Sequence, residues 1–154
     1  MTKYVDVYGN TVIEDGNILI IEKSGHGTCY VTGAITTIPE NLRGKIHTLM
    51  VYDRLTTIKS GMFVGLSNLN CVYFSKNLKC IENNAFADCI SLKSVYLPDS
   101  VEQVSDFAFY ECTGLKSIYV SNPILYTKLN EMQIYKGKVA LIDSDVSRQI
   151  VQTY

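Results

Sequence analysis

The sequence predicts an α/β repeat protein, mostly β, whose coils stack into a solenoid. Three observations lead to this prediction. One pattern of residues fills 69–92 and recurs in 92–115, so the period is 23 residues. The phase of this pattern extends back to about residue 46 and forward to about residue 121. Apolar residues keep their positions in each copy, and a fixed period of about 20 to 30 residues is typical of solenoids whose coils bury a core only by stacking.

Length and composition fit one globular domain. The chain has 154 residues, of which 47% are hydrophobic and 19% charged, so a substantial core can form. A net charge of −1 leaves no basic surface for phosphate backbones, and we expect no nucleic-acid partner. The longest apolar runs are strand-sized, so no membrane span is expected. The N-terminus lacks the apolar centre of a secretory signal, so the protein either stays inside the cell or has lost a signal.

Residues 1–28 are predicted to form an N-terminal β cap. Apolar and polar residues alternate in 4–8, and Asp15-Gly16 predicts a hairpin that leads into the apolar run 18–21. A solenoid exposes its core at its ends, so such a cover is expected. The segment 24–27 contains two glycines and is predicted to be a flexible break with His26 exposed.

Residues 29–121 are predicted to hold four to five repeats, and the unit 92–114 shows how each is built. Val95 and Leu97 alternate with polar neighbours, as in a short strand with one buried face. Pro98 ends this strand because proline cannot donate to a ladder. A second short extended element then returns inward in each coil. These elements contain Leu55 and Ile58, Leu78 and Ile81, and Val101 and Val104.

The unbroken phase predicts how the coils stack. Equivalent residues of adjacent coils should lie above one another, so Phe63, Phe86 and Phe109 should form one internal ladder of rings. The strands within 46–121 should form one continuous parallel sheet. They are expected at 49–51, 72–74, 95–97 and 118–120.

Residues 122–154 are predicted to form the C-terminal cap. The repeat stops at Pro123, and apolar spacing indicates a short helix that ends near Gln133. A hairpin is expected within 134–142, around Lys-Gly-Lys. A tail helix is expected to begin at the acidic cluster 143–145. Its apolar face would contain Val146, Ile150, Val151 and Tyr154.

The cysteines do not indicate a metal site. Cys89 and Cys112 lie one period apart, so they share one column of the solenoid and are expected to be small buried residues. A bridge between them stays open, since neighbouring coils stack at about 5 Å. His26 and His47 do not lie at ligand spacing, so no metal is predicted. The chain contains no C-x-x-C pair among Cys29, Cys71, Cys80, Cys89 and Cys112.

No enzyme is predicted. The sequence lacks the G-x-S-x-G, G-x-x-x-x-G-K-[ST] and H-E-x-x-H patterns and has no acidic calcium loop. Asp143 and Asp145 suit a solvated helix N-terminus. We therefore expect no catalytic residue and no cofactor.

The candidate functional feature is a row of outward side chains. If Val95 and Leu97 point inward, Tyr96 points out from the sheet, and the same phase exposes its equivalents. Aromatic side chains on adjacent strands stabilise a sheet by about 0.2 to 1 kcal/mol per pair. Interface cores also favour aromatic residues and Met, so a binding role stays open beside the structural one. The predicted protein-binding row is Tyr30, Met50, Tyr73, Tyr96 and Tyr119, with Thr48, Cys71, Ser94 and Ser117 beside it.

The units resemble the BspA-like class of leucine-rich repeats, whose pattern is L-x-x-V-x-L-P-x-S-V-x-x-I-x-x-x-A-F-x-x-C-x-x-L. Segment 92–115 matches nearly every position, segment 69–92 matches most, and the resemblance covers about residues 29–121. It implies a right-handed leucine-rich-repeat solenoid with a parallel sheet on its concave side. It also implies protein-binding roles, often on cell surfaces of bacteria and protists that live in or on hosts.

The predicted function is that of a single domain, residues 1–154. It is a non-enzymatic protein–protein interaction module that binds through the concave sheet face, as a cell-surface or host-contact protein. The alternative is an intracellular structural or self-associating protein with the same repeats. The missing signal favours the interior of the cell, whereas the resemblance favours its surface.

Overall fold

The chain folds mostly into short β-strands, as the repeat pattern predicts. The computed structural model describes residues 1–52 and 54–146. Its strands are β1 (Thr2–Val5), β2 (Thr11–Asp15), β3 (Ile18–Lys23), β4 (His26–Val31), β5 (Ile46–Val51), β6 (Thr57–Ile58), β7 (Cys71–Tyr73), β8 (Cys80–Ile81), β9 (Ser94–Leu97), β10 (Gln103–Val104), β11 (Ser117–Val120) and β12 (Val139–Leu141). Its helices are α1 (Glu40–Arg43) and α2 (Pro123–Glu131).

The largest sheet has the strand order β1-β2-β3-β4-β5-β7. Strands β1 to β4 pair antiparallel, and β4, β5 and β7 pair parallel. The predicted Asp15-Gly16 hairpin is confirmed, because β2 and β3 meet at Asp15 and Ile18. Ile13 and Ile20 from this hairpin are buried in the same core as the repeats.

The predicted flexible break at 24–27 is wrong. Ser24 and Gly25 have φ angles of 51° and 81° and form the tight turn between β3 and β4. His26 and Gly27 already belong to β4, where His26 pairs with Lys23. Two successive positive φ angles match the twist of antiparallel strands, so the glycine serves a hairpin turn and not a loose linker.

The second set of inward elements forms its own parallel sheet, in the order β10-β8-β6. Main-chain hydrogen bonds run from each coil to the one before it. Cys80 N–H donates to Thr56 O at 3.2 Å, and Gln103 N–H donates to Lys79 O at 3.2 Å. The inward residues Ile58, Ile81 and Val104 are buried, which confirms the sequence prediction.

One continuous parallel sheet through 46–121 is not formed, so that prediction is wrong. β9, β11 and β12 make a separate parallel sheet, and no ladder joins β7 to β9 among the described residues. The Ser75 hydroxyl accepts the Asn77 N–H at 3.0 Å, and this tight turn ends β7 after three residues. β7 therefore offers less backbone for pairing, and buried side chains such as Val72 and Val95 continue the core across the gap.

A ladder of phenylalanine rings runs through the core as predicted. The ring centroids of Phe63 and Phe86 lie 5.2 Å apart, and those of Phe86 and Phe109 lie 5.4 Å apart. Tyr135 continues the ladder, with its ring edge-on to Phe109 at 6.3 Å. Its hydroxyl donates to Ser105 O at 2.7 Å, and burial raises the pKa of Tyr135 above its usual range.

Tyr135 also explains why the predicted hairpin within 134–142 is wrong. Residues 133–138 form a turn that places Tyr135 in the core, and β12 then pairs parallel with β11. A hairpin would have required antiparallel strands on both sides of Lys-Gly-Lys. Burial of this aromatic ring at the end of the ladder favours the turn instead.

The C-terminal helix is confirmed and is capped by a side chain. The Asn122 Oδ1 accepts the N–H groups of Ile124 and Leu125 at 2.9 and 3.3 Å, which satisfies two free donors of the first turn of α2. Leu125 and Leu129 are buried against the core. The predicted tail helix includes Val146 at the end of the described range, whereas Ile150, Val151 and Tyr154 lie outside the described residues.

One corner of the coil has a left-handed backbone in three successive repeats. Gly65, Asp88 and Glu111 lie one period apart and have φ angles of 71°, 61° and 54°. Two of these corner residues donate to the next coil, Gly65 N–H to Ala87 O at 2.8 Å and Asp88 N–H to Tyr110 O at 2.9 Å. Stacking imposes this corner, and a side chain there costs about 1 to 2 kcal/mol relative to the right-handed conformation.

We expect Phe86→Ala to lower the free energy of unfolding by about 3 to 5 kcal/mol, because it empties a fully buried position between two other rings. Urea unfolding followed by circular dichroism measures the change. Phe107→Ala is the matched control, since Phe107 is 49% exposed and should cost less than about 1 kcal/mol. Equal losses for the two variants would mean that the ring ladder does not hold the core together.

We expect Glu111→Gly to raise the free energy of unfolding by up to about 1 kcal/mol, because glycine adopts positive φ without steric cost. Glu111→Val should lower it by about 1 kcal/mol or more, since a β-branched residue is an outlier at this φ. The same urea measurement ranks the variants. A valine variant as stable as the glycine variant would contradict the left-handed corner.

Candidate functional site

The predicted outward side chains do form a row, named here the tyrosine row: Tyr30, Met50, Tyr73, Tyr96 and Tyr119. Strand register aligns them, because Met50 pairs with Tyr30 on one side and with Tyr73 on the other. Tyr96 pairs with Tyr119 in the next sheet. All five are half-buried, and their neighbours along each strand are buried, so the row lies on the outer face of the sheets.

The register also brings in residues that the sequence analysis missed. Leu19 pairs with Tyr30, and Ala140 pairs with Tyr119, so the row is longer at both ends. The Tyr52 side chain is 49% exposed, and its ring lies 6.2 Å from the Tyr30 ring. The outward position of Leu19 was predictable from the sequence, because Leu19 lies between Ile18 and Ile20, whose side chains point into the core. Ala140 lies beyond the last 23-residue unit, so no periodic spacing predicted its place beside Tyr119.

Part of the tyrosine row is packed against itself. The rings of Tyr96 and Tyr119 are stacked, with centroids 4.6 Å apart and planes 16° apart. Such an aromatic pair contributes about 0.5 to 1.5 kcal/mol beyond its buried area. This pair therefore stabilises the sheet that contains β9 and β11. The gap between β7 and β9 divides the row between Tyr73 and Tyr96.

A second row of small polar side chains lies beside the tyrosine row. Thr28, Thr48 and Cys71 share one line of register, and Ser94 pairs with Ser117 in the neighbouring sheet. The Cys71 thiol is exposed and donates to the Tyr73 hydroxyl at 3.6 Å. The two rows together offer apolar rings and hydroxyl groups without a formal charge. This combination suits contact with neutral main-chain and side-chain groups.

Two of the buried cysteines have thiols of low reactivity. All five are free thiols, so Cys89 and Cys112 are not bridged. Burial raises the pKa of the Cys29 thiol to about 12. A hydrogen bond with the Cys112 thiol, together with burial, raises the pKa of Cys89 well above its usual range. Cys29 and Cys89 are therefore protonated at neutral pH and behave as small core residues.

Over residues 1–52 and 54–146, no cluster of three or more His, Cys, Asp or Glu side chains could hold a metal ion. In the same part of the chain, no helix is both long and apolar enough to cross a bilayer.

These features define a leucine-rich repeat protein that is mostly β, with parallel sheets. The chain belongs to the BspA-type leucine-rich repeat family. It matches the family described as "BspA type Leucine rich repeat region" in six copies over residues 36–143. The match includes α2 and β12, which follow the last clear 23-residue unit.

Two solved structures illustrate the similarity. A leucine rich cell surface protein from Faecalibacterium prausnitzii is 19% identical, with a TM-score of 0.54 over 91% of this chain. The chain spans 42% of the length of that protein. A leucine-rich repeat protein from Bacteroides capillosus is 22% identical over 71% of this chain and 97% of its own, with a TM-score of 0.49. The similarity to the Faecalibacterium protein shows a shared fold. No curated protein matches the sequence significantly.

We expect a thiol reagent to label Cys71 first in the native protein, because Cys71 alone among the five cysteines is exposed. Buried Cys29, Cys89 and Cys112 should react only after unfolding. Mass spectrometry of labelled peptides, with and without urea, identifies each site. Cys71→Ser is the control and should remove the fast phase. Rapid native labelling of Cys89 or Cys112 would contradict the packed coil interior.

Proposed function

We propose that this chain is a non-enzymatic protein-interaction module that binds an extended segment of a partner protein through the tyrosine row. The observation that carries this proposal is the strand register, which aligns Tyr30, Met50 and Tyr73 on the outer face of one sheet and Tyr96 and Tyr119 on that of the next. Interface cores are enriched in tyrosine and methionine, and this face provides both. The chain's membership of a repeat family that commonly mediates protein–protein contacts supports the same function.

The physical setting of the row suits recognition of an extended segment. Within each sheet, neighbouring strands lie about 4.8 Å apart, so a segment that crosses them meets anchors at regular intervals. Hydroxyl groups such as those of Ser94 and Ser117 lie beside the rings and can bond the main chain of a partner. The stacked pair Tyr96 and Tyr119 is already ordered, which lowers the entropy lost on binding.

We further propose how the coils wind and how the two ends of the domain are closed. The coils wind as a right-handed solenoid with the tyrosine row on its concave side, and residues 1–154 act as one domain. Repeats occupy 29–121, while residues 1–28 and 122–154 close the two ends. Burial of Ile13 at one end and of Leu129 at the other supports closing roles for both segments.

The proposed location is the cell surface, in contact with a host or a neighbouring cell. The similar Faecalibacterium protein is described as a cell surface protein. Its identity to this chain is 19%, so the shared fold alone links the two proteins. Detection of the native product on intact cells, by antibody or surface biotinylation, tests it directly.

Self-association is the second candidate function, and the first strand favours it. All four residues of β1 are exposed, and the nearby Val7 and Tyr8 are 92% and 86% exposed. An exposed edge strand with apolar side chains is a template for pairing with another chain. Molar mass measured by light scattering over a wide concentration range separates the two functions. A monomer at every concentration counts against self-association.

We expect the double variant Tyr73→Ser and Tyr96→Ser to keep its fold but to lose about 2 kcal/mol or more of binding free energy, roughly 30-fold in Kd. Neither ring is part of the buried core. A partner captured from a cell extract is titrated against wild type and variant by calorimetry. The matched control replaces Tyr8 and Tyr110, which are exposed outside the row, and should bind as wild type.

Three outcomes separate the roles of the row. Weaker binding with the fold retained, and with the free energy of unfolding lowered by no more than the about 0.5 to 1.5 kcal/mol of the lost ring pair, supports the binding role. Unchanged binding with an unchanged fold contradicts it. Loss of the fold shows that the row chiefly stabilises the sheets, as the stacking of Tyr96 and Tyr119 already does in part.

A further inference from the structure

Two histidines that are 21 positions apart in the sequence lie side by side in the structure. His26 begins β4, His47 lies in the adjacent strand β5, and their ring centroids are 5.0 Å apart. The planes of the rings are inclined by 50°. Sequence spacing gave no reason to pair them, because the pairing of Thr28 with Thr48 sets an offset of 20 residues, at which His26 would be opposite Ile46 and not His47.

A β-bulge directs His47 toward His26. Gly27 is opposite Ile46 and Thr28 is opposite Thr48, so His47 is the extra residue on β5. A side chain at position 27 could not fit, because its Cβ would lie 2.0 Å from Lys45 O. Bulges re-aim side chains and are frequent next to functional sites. The local backbone thus places both imidazoles together on one face.

Both rings are oriented by the same kind of contact. His26 Nδ1 lies 3.2 Å from Ser24 O, and His47 Nδ1 lies 3.1 Å from Lys45 O. When Nδ1–H donates to these carbonyls, each Nε2 keeps a free lone pair, which is the usual arrangement of a metal-binding histidine. Gly27 N–H also lies 3.2 Å from His47 Nδ1 and bonds it in the other tautomer. Metal binding at Nε2 would select the first tautomer.

The separation of the rings fits a single ion. Nitrogen ligands lie about 2.0 to 2.1 Å from Zn²⁺, so two imidazoles on one tetrahedral ion have ring centres about 5 Å apart. We propose that His26 and His47 together bind one divalent transition-metal ion of the Zn²⁺, Ni²⁺ or Cu²⁺ class. Within the described residues the protein supplies these two ligands without a third acidic, cysteine or histidine ligand, and water completes the coordination.

Two nearby lysines lower the affinity expected of this site for a cation. Lys23 is the cross-strand neighbour of His26 and opposes a cation, although its side chain is exposed and can turn away. The Lys45 ammonium group is held by the Glu22 carboxylate at 3.4 Å, which reduces its effect. We therefore expect an open site of moderate affinity and not a buried structural one.

Nuclear magnetic resonance tests the proposal with a clean signal, because the chain contains only two histidines. Zn²⁺ is titrated into the protein while the imidazole Hε1 resonances are recorded. Both resonances should shift together, with one half-saturation concentration and one ion per chain. Mg²⁺ should shift neither, since it prefers oxygen ligands.

Variants then show whether the two ligands act together. His26→Gln should raise the half-saturation concentration at His47 about tenfold or more, because loss of either ligand removes the chelate. His26 is exposed, so this variant should leave the fold intact. Lys23→Gln alters the same patch without removing an imidazole and should bind at least as well as wild type. His47→Gln tests the reciprocal effect, with circular dichroism as a check on the bulge.

Several results would overturn the proposal. Separate half-saturation concentrations for the two resonances would show two independent histidines. A half-saturation concentration of Zn²⁺ at His47 that is unchanged in the His26→Gln variant would show the same. Absence of any Zn²⁺-dependent shift in the wild-type protein would exclude the site.

Discussion

Stacking of Phe63, Phe86 and Phe109 is the interaction on which the rest of the structure depends. Each ring lies one period from the next, and main-chain bonds beside them, such as Phe86 N–H to Ala108 O at 2.8 Å, keep successive coils at a fixed spacing. Slipping one coil by a residue would turn its buried set to solvent and remove its ring from the ladder. In these coils the columns beside the rings keep the same register, from the inward strands β6, β8 and β10 to the left-handed corner at Glu111.

The outer face of the sheets has the same register as the core. Side chains on the opposite side of each strand must also align, so the tyrosine row and its small polar neighbours result from the same constraint as the core. A stiff core also means that the outer rings are ordered before any partner arrives, which favours recognition. The break between β7 and β9 divides this face, so Tyr73 and Tyr96 belong to sheets whose backbones are not paired.

Periodic features could be predicted from the sequence, and features outside the period could not. The phenylalanine ladder, the inward strands and the placing of the tyrosine row follow from equal spacing, because each repeat has the same neighbours. The parallel pairing of β12 depends on burial of Tyr135, a tertiary effect without a local signal. The short β7 is followed by a turn in which the Ser75 hydroxyl accepts the Asn77 N–H, a local feature that the repeat pattern does not encode. His26 and His47 meet because a bulge shifts the register, which spacing alone does not reveal.

The most direct test of the central claim is a set of nuclear Overhauser measurements between aromatic rings, in protein with selectively labelled phenylalanine and tyrosine. The ladder predicts contacts from Phe63 to Phe86, from Phe86 to Phe109 and from Phe109 to Tyr135, in that order. This result would establish that the coils stack in the register from which the outer face derives. A contact between Phe63 and Phe109 without an intervening Phe86, or no contact between successive rings, would contradict the account.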